Sequence, residues 1–163
     1  MRENTRAVVL DTTEEAIALA RGLIRKARHG SLATLDPNSG RPVVTRVGLG
    51  TDADGAPIIL VSALAAHTPA LRADPRCSLL VGEPGKGDPL AHPRITLHCE
   101  AREIEHGSDE ESRIAGRYLA HNPKAALYAG LGDFRYFRLE PLEASLNAGF
   151  GRAYALGAGD VLG

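Results

Sequence analysis

A helical spacing of apolar residues marks the first part of the chain. Alanine, leucine and isoleucine recur at steps of three and four over residues 16–27, which places them on one face of a helix. Asp11–Glu15 supplies cap residues and first-turn acids before this face, and Gly30 is predicted to end the helix. Basic side chains gather over residues 21–28, where the helix dipole favours cations. They are typical of a solvated last turn, with nucleic-acid binding as the alternative.

From residue 30 onward the apolar period changes to two, which predicts β-strands. Turn sequences rich in Pro, Asn, Asp and Gly separate the first strands at residues 37–40 and 52–55. These short connections predict an antiparallel meander, followed by helices over residues 108–122 and 123–130 and then more strands. The predicted strands cover residues 31–35, 43–51, 58–62, 77–81, 94–104, 134–139 and 142–146.

The middle of the chain predicts a strand, a short helix and a strand. Thr68 is the predicted helix cap, Pro69 suits the first helical position, and Asp74–Pro75 ends the helix. The helix start is then expected to present backbone N–H groups together with His67 and the hydroxyls of Thr68 and Ser62. Such a set of donors suits an anion, most simply a phosphate. A plain cap without any ligand is the alternative.

Composition predicts an ordinary soluble domain. The 163 residues are 44% hydrophobic and 24% charged, which fits one domain over residues 1–163. Residues 1–10 are predicted to be a loose arm, or over residues 7–10 an edge strand, and residues 155–163 a second loose arm. The net charge of −1 and the lack of a long apolar run indicate no nucleic-acid partner and no membrane partner. No signal peptide is recognisable, which predicts a cytoplasmic protein.

Cysteine and histidine spacing offers no metal site. Cys77 and Cys99 lie in apolar strands and are expected to be buried free thiols. His98 and Cys99 are adjacent in a strand, so their side chains point to opposite faces and cannot share a metal. No Cys-x-x-Cys or His-x-x-x-His spacing occurs, so we expect no metal. The Gly- and Pro-rich loop over residues 82–93 lacks the spacing of a nucleotide-binding P-loop.

A second candidate ligand site lies near the C-terminus. Glycines flank Phe150 and Arg152 in the run 147–153, which permits close approach to a planar or anionic ligand. An exposed turn that binds no ligand is an equally good interpretation of this sequence.

Several longer runs together resemble one known superfamily. The chain is similar to the pyridoxamine 5′-phosphate oxidase-like, FMN-binding split-barrel superfamily, and within it to the haem-utilisation branch. The resemblance extends from about residue 20 to residue 152 and rests on Gly30-Ser31-Leu32-Ala33-Thr34-Leu35, Thr51-Asp52-x-Asp54-Gly55, Leu60-Val61-Ser62-x-Leu64-Ala65-x-His67-Thr68, Ala73-Asp74-Pro75-Arg76-x-Ser78-Leu79-Leu80, Pro84-Gly85-x-Gly87-Asp88-Pro89-Leu90, Arg117-Tyr118-Leu119, Leu127-Tyr128-Ala129-Gly130-x-Gly132-Asp133-Phe134 and Asn147-x-Gly149-Phe150-Gly151-Arg152-Ala153.

This resemblance implies a mainly β fold: a six-stranded antiparallel split β-barrel with flanking helices. It also implies a homodimer that binds FMN in a cleft between the two chains. Relatives in the oxidase branch have an Arg-Lys pair where this chain has His67 and Thr68. Carried onto this chain, the implied FMN-binding residues are Thr45, Arg46 and Val47, with Val61, Ser62, His67 and Thr68 around the phosphate.

The implied function is an FMN-dependent oxidoreductase acting on a small molecule. Haem-branch relatives commonly carry a histidine where this chain has Ser145, and a serine hydroxyl is a poor ligand for haem iron. We therefore expect no haem ligation through this C-terminal motif, and His92 is the expected ligand if haem binds. The alternatives are a non-enzymatic haem- or flavin-binding protein that serves in haem storage, sensing or degradation, and a dimer without a cofactor.

Overall fold

The structure, a computed structural model, describes residues 9–163. It has eight strands, five α-helices and two 3-10 turns. The strands are β1 (Val9–Leu10), β2 (His29–Leu35), β3 (Pro42–Thr51), β4 (Pro57–Ser62), β5 (Arg76–Val81), β6 (Arg94–Glu103), β7 (Phe134–Asn147) and β8 (Ala153–Gly157). The helices are α1 (Glu14–Lys26), α2 (His67–Ala73), α3 (Asp109–His121), α4 (Ala126–Ala129) and α5 (Ala158–Val161), and the 3-10 turns are Pro89–Ala91 and Pro123–Ala125.

Six antiparallel strands close into a barrel. Their order is β7-β4-β3-β2-β5-β6, and β6 pairs with β7 to close the ring. Strand β8 extends the sheet beyond β7, and β1 adds a short parallel pair at its edge. The predicted split barrel with flanking helices is confirmed.

Successive side chains along the strands point to opposite faces of the barrel wall. They contribute to two apolar cores, one inside the barrel and one on its outer surface. Inward side chains such as Leu32, Leu49 and Leu97 fill the barrel, and α1 adds its own apolar face to the same core through Ala20 and Ile24. Thr13 caps α1 by accepting a hydrogen bond from the backbone N–H of Ala16. Cys77 and Cys99 face each other inside the barrel as free thiols, as predicted, and burial raises the pKa of Cys77 to about 12.

Helix α3 covers part of the outer barrel surface and makes the second core. Its Tyr118 packs edge-on against Tyr136 of β7, with ring centroids 5.6 Å apart. The ring lies so close to β3 that a Cβ atom at Gly48 would stand 2.5 Å from the tyrosine oxygen. Glycine at this position therefore permits the contact between helix and strand.

A network of charged side chains joins α3 to the barrel. Asp52 is buried in the β3–β4 turn and forms ion pairs with Arg113 of α3 and Arg138 of β7. Arg138 also contacts Asp54 and Glu140 at 2.7 and 2.6 Å. The hydrogen bond from Arg113 is the main reason that the pKa of Asp52 lies far below its ordinary value.

Two boundaries differ from the sequence predictions. Helix α1 ends at Lys26, and Gly30 lies within β2, where a Cβ atom would stand 2.9 Å from Leu79. The two strands predicted over residues 134–146 are one 14-residue strand, β7, that continues through Pro141. Pro141 lies opposite Cys99 at a register shift between β6 and β7, where Leu142 of β7 is the extra residue, and such an irregularity tolerates a residue without an N–H group.

The predicted loose arm over residues 155–163 instead forms β8 and α5. Arg21 of α1 donates hydrogen bonds to the carbonyl oxygens of Gly159, Asp160 and Leu162, which ties this segment to α1. At the other end, the predicted arm over residues 1–10 contributes Val9–Leu10 to the sheet, whereas its first eight residues lie outside the described part of the chain.

Candidate functional site

The predicted phosphate-binding residues meet where β4 leads into α2. The Thr68 hydroxyl donates a 2.6 Å hydrogen bond to the carbonyl oxygen of Ser62, and Thr45 Oγ1 lies 3.0 Å from His67 Nδ1. Asp133, from the loop before β7, joins them. We call this set of five residues the α2 corner. The structure thus brings Thr45 and Asp133 to Ser62, His67 and Thr68, which lie far from them in the sequence.

The hydroxyl groups of the α2 corner are engaged within the protein. Ser62 donates to Asp133 Oδ2 at 2.7 Å and accepts from the backbone N–H of Leu64 at 3.1 Å. Thr68 is fully buried and does not cap α2, because the helix begins one residue earlier with Ala66 at its N-cap position. The prediction that Thr68 caps the helix is therefore wrong, and its hydroxyl joins helix to strand instead.

Charge in the α2 corner also fits a phosphate poorly. Burial lowers the pKa of His67, which favours its neutral form. The Asp133 carboxylate beside Ser62 would repel an anion. Val47 and Val61 point into the barrel core, so they can offer a ligand only their backbone groups.

Arg46 is the exception among the predicted residues. It lies on the outer face of β3, beside Ser31 of β2 in the cross-strand register. Within residues 9–163, its side chain forms no hydrogen bond or ion pair. Arg46 can therefore bind a ligand without losing a protein contact.

The Arg46 side chain borders a deep cleft beside α1. The cleft has a volume of about 780 Å³ and lies between α1 and the strands β2, β3 and β5. We call it the α1 cleft. It is lined by Ala18, Leu19, Gly22, Leu23, Lys26, Ala27, Arg28, His29, Gly30, Ser31, Arg46, Leu80, Val81, Gly82, Glu83 and Pro84.

The α1 cleft combines apolar walls with cations. Leu19 and Leu23 of α1 face it from one side, and Leu80 of β5, which is 42% exposed, lines it from the other. Lys26 and Arg28 line it as well; like Arg46, they have no ion-pair or hydrogen-bonded side-chain partner in the described part of the chain. This chemistry suits an apolar molecule that carries negative charge.

The acidic residue of the cleft already has a partner. Glu83 Oε1 lies 2.6 Å from His29 Nε2, which joins the chain after β5 to the start of β2. Gly22 lies in the middle of α1 on the cleft side, and a Cβ atom there would meet nothing within 4 Å. A larger side chain at Gly22 would therefore extend into the cleft.

The C-terminal candidates lie elsewhere in the fold. Phe150 is 67% exposed and Arg152 lies in the β7–β8 turn, after Asn147. Ser62 pairs with Phe134 at the opposite end of the 14-residue strand β7. Within one chain, these two candidate sites are therefore separate.

Ser145 lies on the outer face of β7 and is exposed. It pairs with Thr96, which pairs with Leu80, which pairs with Ser31, the neighbour of Arg46. These residues form one row across five strands that begins at the α1 cleft. His92, the histidine expected to bind haem if haem is bound, has its Nε2 atom 2.9 Å from the carbonyl oxygen of Lys86 and does not line the cleft.

Sequence analysis missed the α1 cleft. Lys26 and Arg28 were interpreted as a solvated helix end, the most common use of such residues. The sequence signal for the cleft was Gly22, in the middle of the same helix. Glycine is unfavourable at such a position unless space is needed there.

The described residues show neither a cluster of metal ligands nor a membrane-spanning helix. Residues 9–163 contain no cluster of three or more His, Cys, Asp or Glu side chains placed to hold a metal ion. No helix in that range is long and apolar enough to cross a membrane.

Comparisons with known proteins agree on one family. The family described as pyridoxamine 5′-phosphate oxidase matches residues 17–148. The haem oxygenase HOZ, a chloroplastic protein of Arabidopsis thaliana, is 36% identical over 157 residues, or 95% of this chain. That alignment covers 46% of HOZ, so the chain spans about half the length of this curated relative.

Solved structures extend this similarity. A haem-binding protein from Mycobacterium smegmatis is 30% identical, with a TM-score of 0.82 over 94% of this chain and 61% of its own. HutZ, a haem storage protein from Vibrio cholerae, is 26% identical, with a TM-score of 0.64 over 78% of this chain and 89% of its own. A further solved structure is 50% identical, with a TM-score of 0.86 over 93% of this chain and 98% of its own.

Proposed function

The chain belongs to the pyridoxamine 5′-phosphate oxidase family, and from this premise we propose that it binds haem in the α1 cleft. The observation that carries the proposal is an apolar cleft of about 780 Å³ bordered by three cations whose side chains have no partner within residues 9–163. Haem is a flat apolar ring with two carboxylates, so the ring suits the leucine-lined walls. The carboxylates suit Lys26, Arg28 and Arg46.

The names of three relatives support haem over other anions. HOZ, the mycobacterial haem-binding protein and HutZ are each described by an association with haem. Because the chain spans about half of HOZ, we propose haem binding and do not extend the proposal to haem oxygenation. Bound haem would supply an iron atom that can bind dioxygen or transfer electrons, while the protein sets its ligands, access and surroundings.

FMN is the second candidate, and Arg46 is the observation that favours it. The Arg46 guanidinium has no side-chain partner within residues 9–163 and can bind a phosphate in bidentate fashion at the α1 cleft, whereas the hydroxyls of Ser62 and Thr68 in the α2 corner are engaged. With FMN bound, the chain would be the cytoplasmic oxidoreductase that the sequence predicts, and the flavin ring would carry the electrons. Haem and FMN would then compete for Arg46.

A homodimer is part of both proposals. The outer faces of β2, β3 and β5 expose Ser31, Val44 and Leu80 in a single chain, and Val44 is 67% exposed. Pairing this face with a second copy would bury apolar surface and enclose the row that leads from Arg46. Light scattering should find a dimer at micromolar concentration, and a stable folded monomer would contradict this part of the proposal.

The cofactor proposal is tested by separate titrations with haemin and with FMN, followed by absorbance. The key variant is Gly22→Leu, which places a side chain in the cleft. Its matched control is Gly116→Leu, because Gly116 is also a mid-helix glycine with open space around its Cβ position but lies in α3. We expect Gly22→Leu to weaken haem binding at least ~tenfold, the equivalent of about 1.4 kcal/mol.

Gly116→Leu should bind haem like the parent chain. Equal binding by both variants would exclude the α1 cleft as the haem site. Binding of FMN without binding of haem would favour the flavin alternative.

A further inference from the structure

We infer that His29 is the axial ligand of the haem iron and that Glu83 is the residue that orients it. This inference rests on the proposed haem function and assigns the metal-binding group of that site. His29 is the one histidine of the six in the chain that lines the α1 cleft.

The geometry of the pair suits a metal ligand. His29 Nε2 lies 2.6 Å from Glu83 Oε1, and the other ring nitrogen has no hydrogen-bond partner among residues 9–163. Histidines that bind metals commonly donate their second ring N–H to a carboxylate, which fixes the ring and makes the ligating nitrogen more basic. In the structure, the Glu83 carboxylate lies at Nε2 of His29, which leaves Nδ1 for the iron.

Both partners are presented by fixed backbone. His29 begins β2 and pairs with Gly48 of β3, so its Cα position is set by the barrel. Glu83 follows Gly82, which has a φ of +132° and lies against the start of β6. A Cβ atom at Gly82 would stand 2.6 Å from the carbonyl oxygen of Pro93, so this close approach requires glycine. Glu83 is therefore held beside His29 by two packed strands.

The other histidines are placed less well. His67 and His98 contact hydroxyls of Thr45 and Ser78, and His121 contacts the carbonyl oxygen of Ala27. His106 also has a carboxylate partner, Glu111, but it lies just before α3 and lines none of the clefts described.

Binding of iron by His29 needs no additional reactant. The ring nitrogen that does not face Glu83 would bind the iron, while Nε2 would stay in contact with the Glu83 carboxylate. The oxidation state of the iron would not change.

The test compares haemin titrations of the parent chain with those of His29→Ala, Glu83→Gln and His92→Ala, followed by Soret absorbance. His29 is exposed, so its replacement should leave the fold intact. We expect His29→Ala to shift the Soret band and weaken binding roughly tenfold or more, within the range seen for lost support of a metal ligand. Free imidazole should restore the parent spectrum to His29→Ala.

Glu83→Gln should keep the His29 ligand but shift the Soret band and raise the reduction potential of the bound haem, because a neutral amide makes the imidazole a weaker donor. His92→Ala should match the parent. If the parent binds haem and His29→Ala gives the same spectrum and affinity, the ligand assignment is wrong while the haem proposal stands. If the parent does not bind haem, the proposed function itself fails.

Discussion

The α2 corner and the α1 cleft both gather polar side chains from several elements, but they use them differently. In the corner, Ser62, Thr68 and His67 each contact another group of the protein, at 2.7, 2.6 and 3.0 Å. In the cleft, Lys26, Arg28 and Arg46 contact none within the described residues. The corner therefore has the character of a structural joint, and the cleft has that of a binding site.

This contrast shows that residue type alone does not identify a site. A serine, a threonine and a histidine near a helix start are what a phosphate needs, and they are also what a helix–strand joint needs. The deciding property is whether hydrogen-bonding capacity remains after folding. In the corner little remains, because Asp133 and the Ser62 carbonyl oxygen accept the two hydroxyl hydrogens.

The largest expected effect is loss of the cleft cations. Replacing Lys26, Arg28 and Arg46 together with Gln should weaken haem binding by about 3 kcal/mol, since each exposed charge contributes roughly 1 kcal/mol to holding a carboxylate. The free energy of unfolding should change little, because these side chains have no partners to lose among residues 9–163. Haemin titration and urea unfolding measure the two quantities. A control with Arg41→Gln and Lys124→Gln, exposed cations outside the cleft, should bind like the parent.

The contribution of Arg46 alone can be measured through FMN binding. Arg46→Ala should weaken FMN binding by about 2 kcal/mol, as expected when a charge-assisted hydrogen bond to phosphate is lost. Fluorescence quenching of FMN on titration gives the dissociation constant, with Arg41→Ala as the control. If Arg46→Ala binds FMN like the parent, neither the corner nor the cleft holds the FMN phosphate through this residue.

In the α2 corner, we expect a substitution to lower the stability and to leave haem affinity unchanged, which is the reverse of the expectation for the cleft cations. Thr68→Val removes the hydroxyl but keeps the shape of a fully buried side chain. We expect the free energy of unfolding to fall by about 1.5 kcal/mol, because the Ser62 carbonyl oxygen loses a buried hydrogen bond. Haem binding should not change. Urea unfolding and haemin titration measure the two quantities. A fall in haem affinity without a fall in the free energy of unfolding would contradict the structural role of Thr68.

The fold was predictable because strand and helix periods are local properties. Five of the six barrel strands were predicted within about two residues, since most alternate buried and exposed positions and β4 is one continuous apolar run. The continuity of β7 through Pro141 was not predicted, because it depends on irregular pairing with β6, a strand distant in sequence. The order of the C-terminal segment likewise depends on Arg21, more than 130 residues away.

The candidate site was predictable only in part. The meeting of Ser62 and Thr68 follows from six residues of local sequence, but the partner that engages Ser62 is Asp133, which lies 71 residues further on. The α1 cleft depends on how α1 lies against β2, β3 and β5. No local pattern specifies that packing, so Lys26 and Arg28 could not be connected with Arg46 from the sequence.

A smaller effect concerns Gly22. Gly22→Ala should raise the free energy of unfolding by up to about 1 kcal/mol, since alanine is the better helix former and its methyl group meets open space. A methyl group fills little of the cleft, so haem affinity should stay close to that of the parent. Gly116→Ala is the matched control, with the same expected gain in stability and no route to the cleft.

The smallest effect is a pH dependence that belongs to the corner. Burial lowers the pKa of His67 below its ordinary value of 6.5, so the unfolded chain binds a proton at a higher pH than the folded chain does. Above pH 6.5 both states are neutral at this residue and it adds no pH dependence. As the pH falls through 6.5 and below, the unfolded state is protonated first, and stability is lost until the folded-state pKa is also passed.

His67→Gln keeps a hydrogen-bonding group for Thr45 but cannot titrate, so its stability should fall less between pH 7 and pH 5 than that of the parent. His98→Gln, at an exposed position, is the control for urea unfolding at the two pH values. If His67→Gln and the parent lose equal stability over this range, His67 is not buried as a neutral group, and the α2 corner would retain a cation that can hold a phosphate.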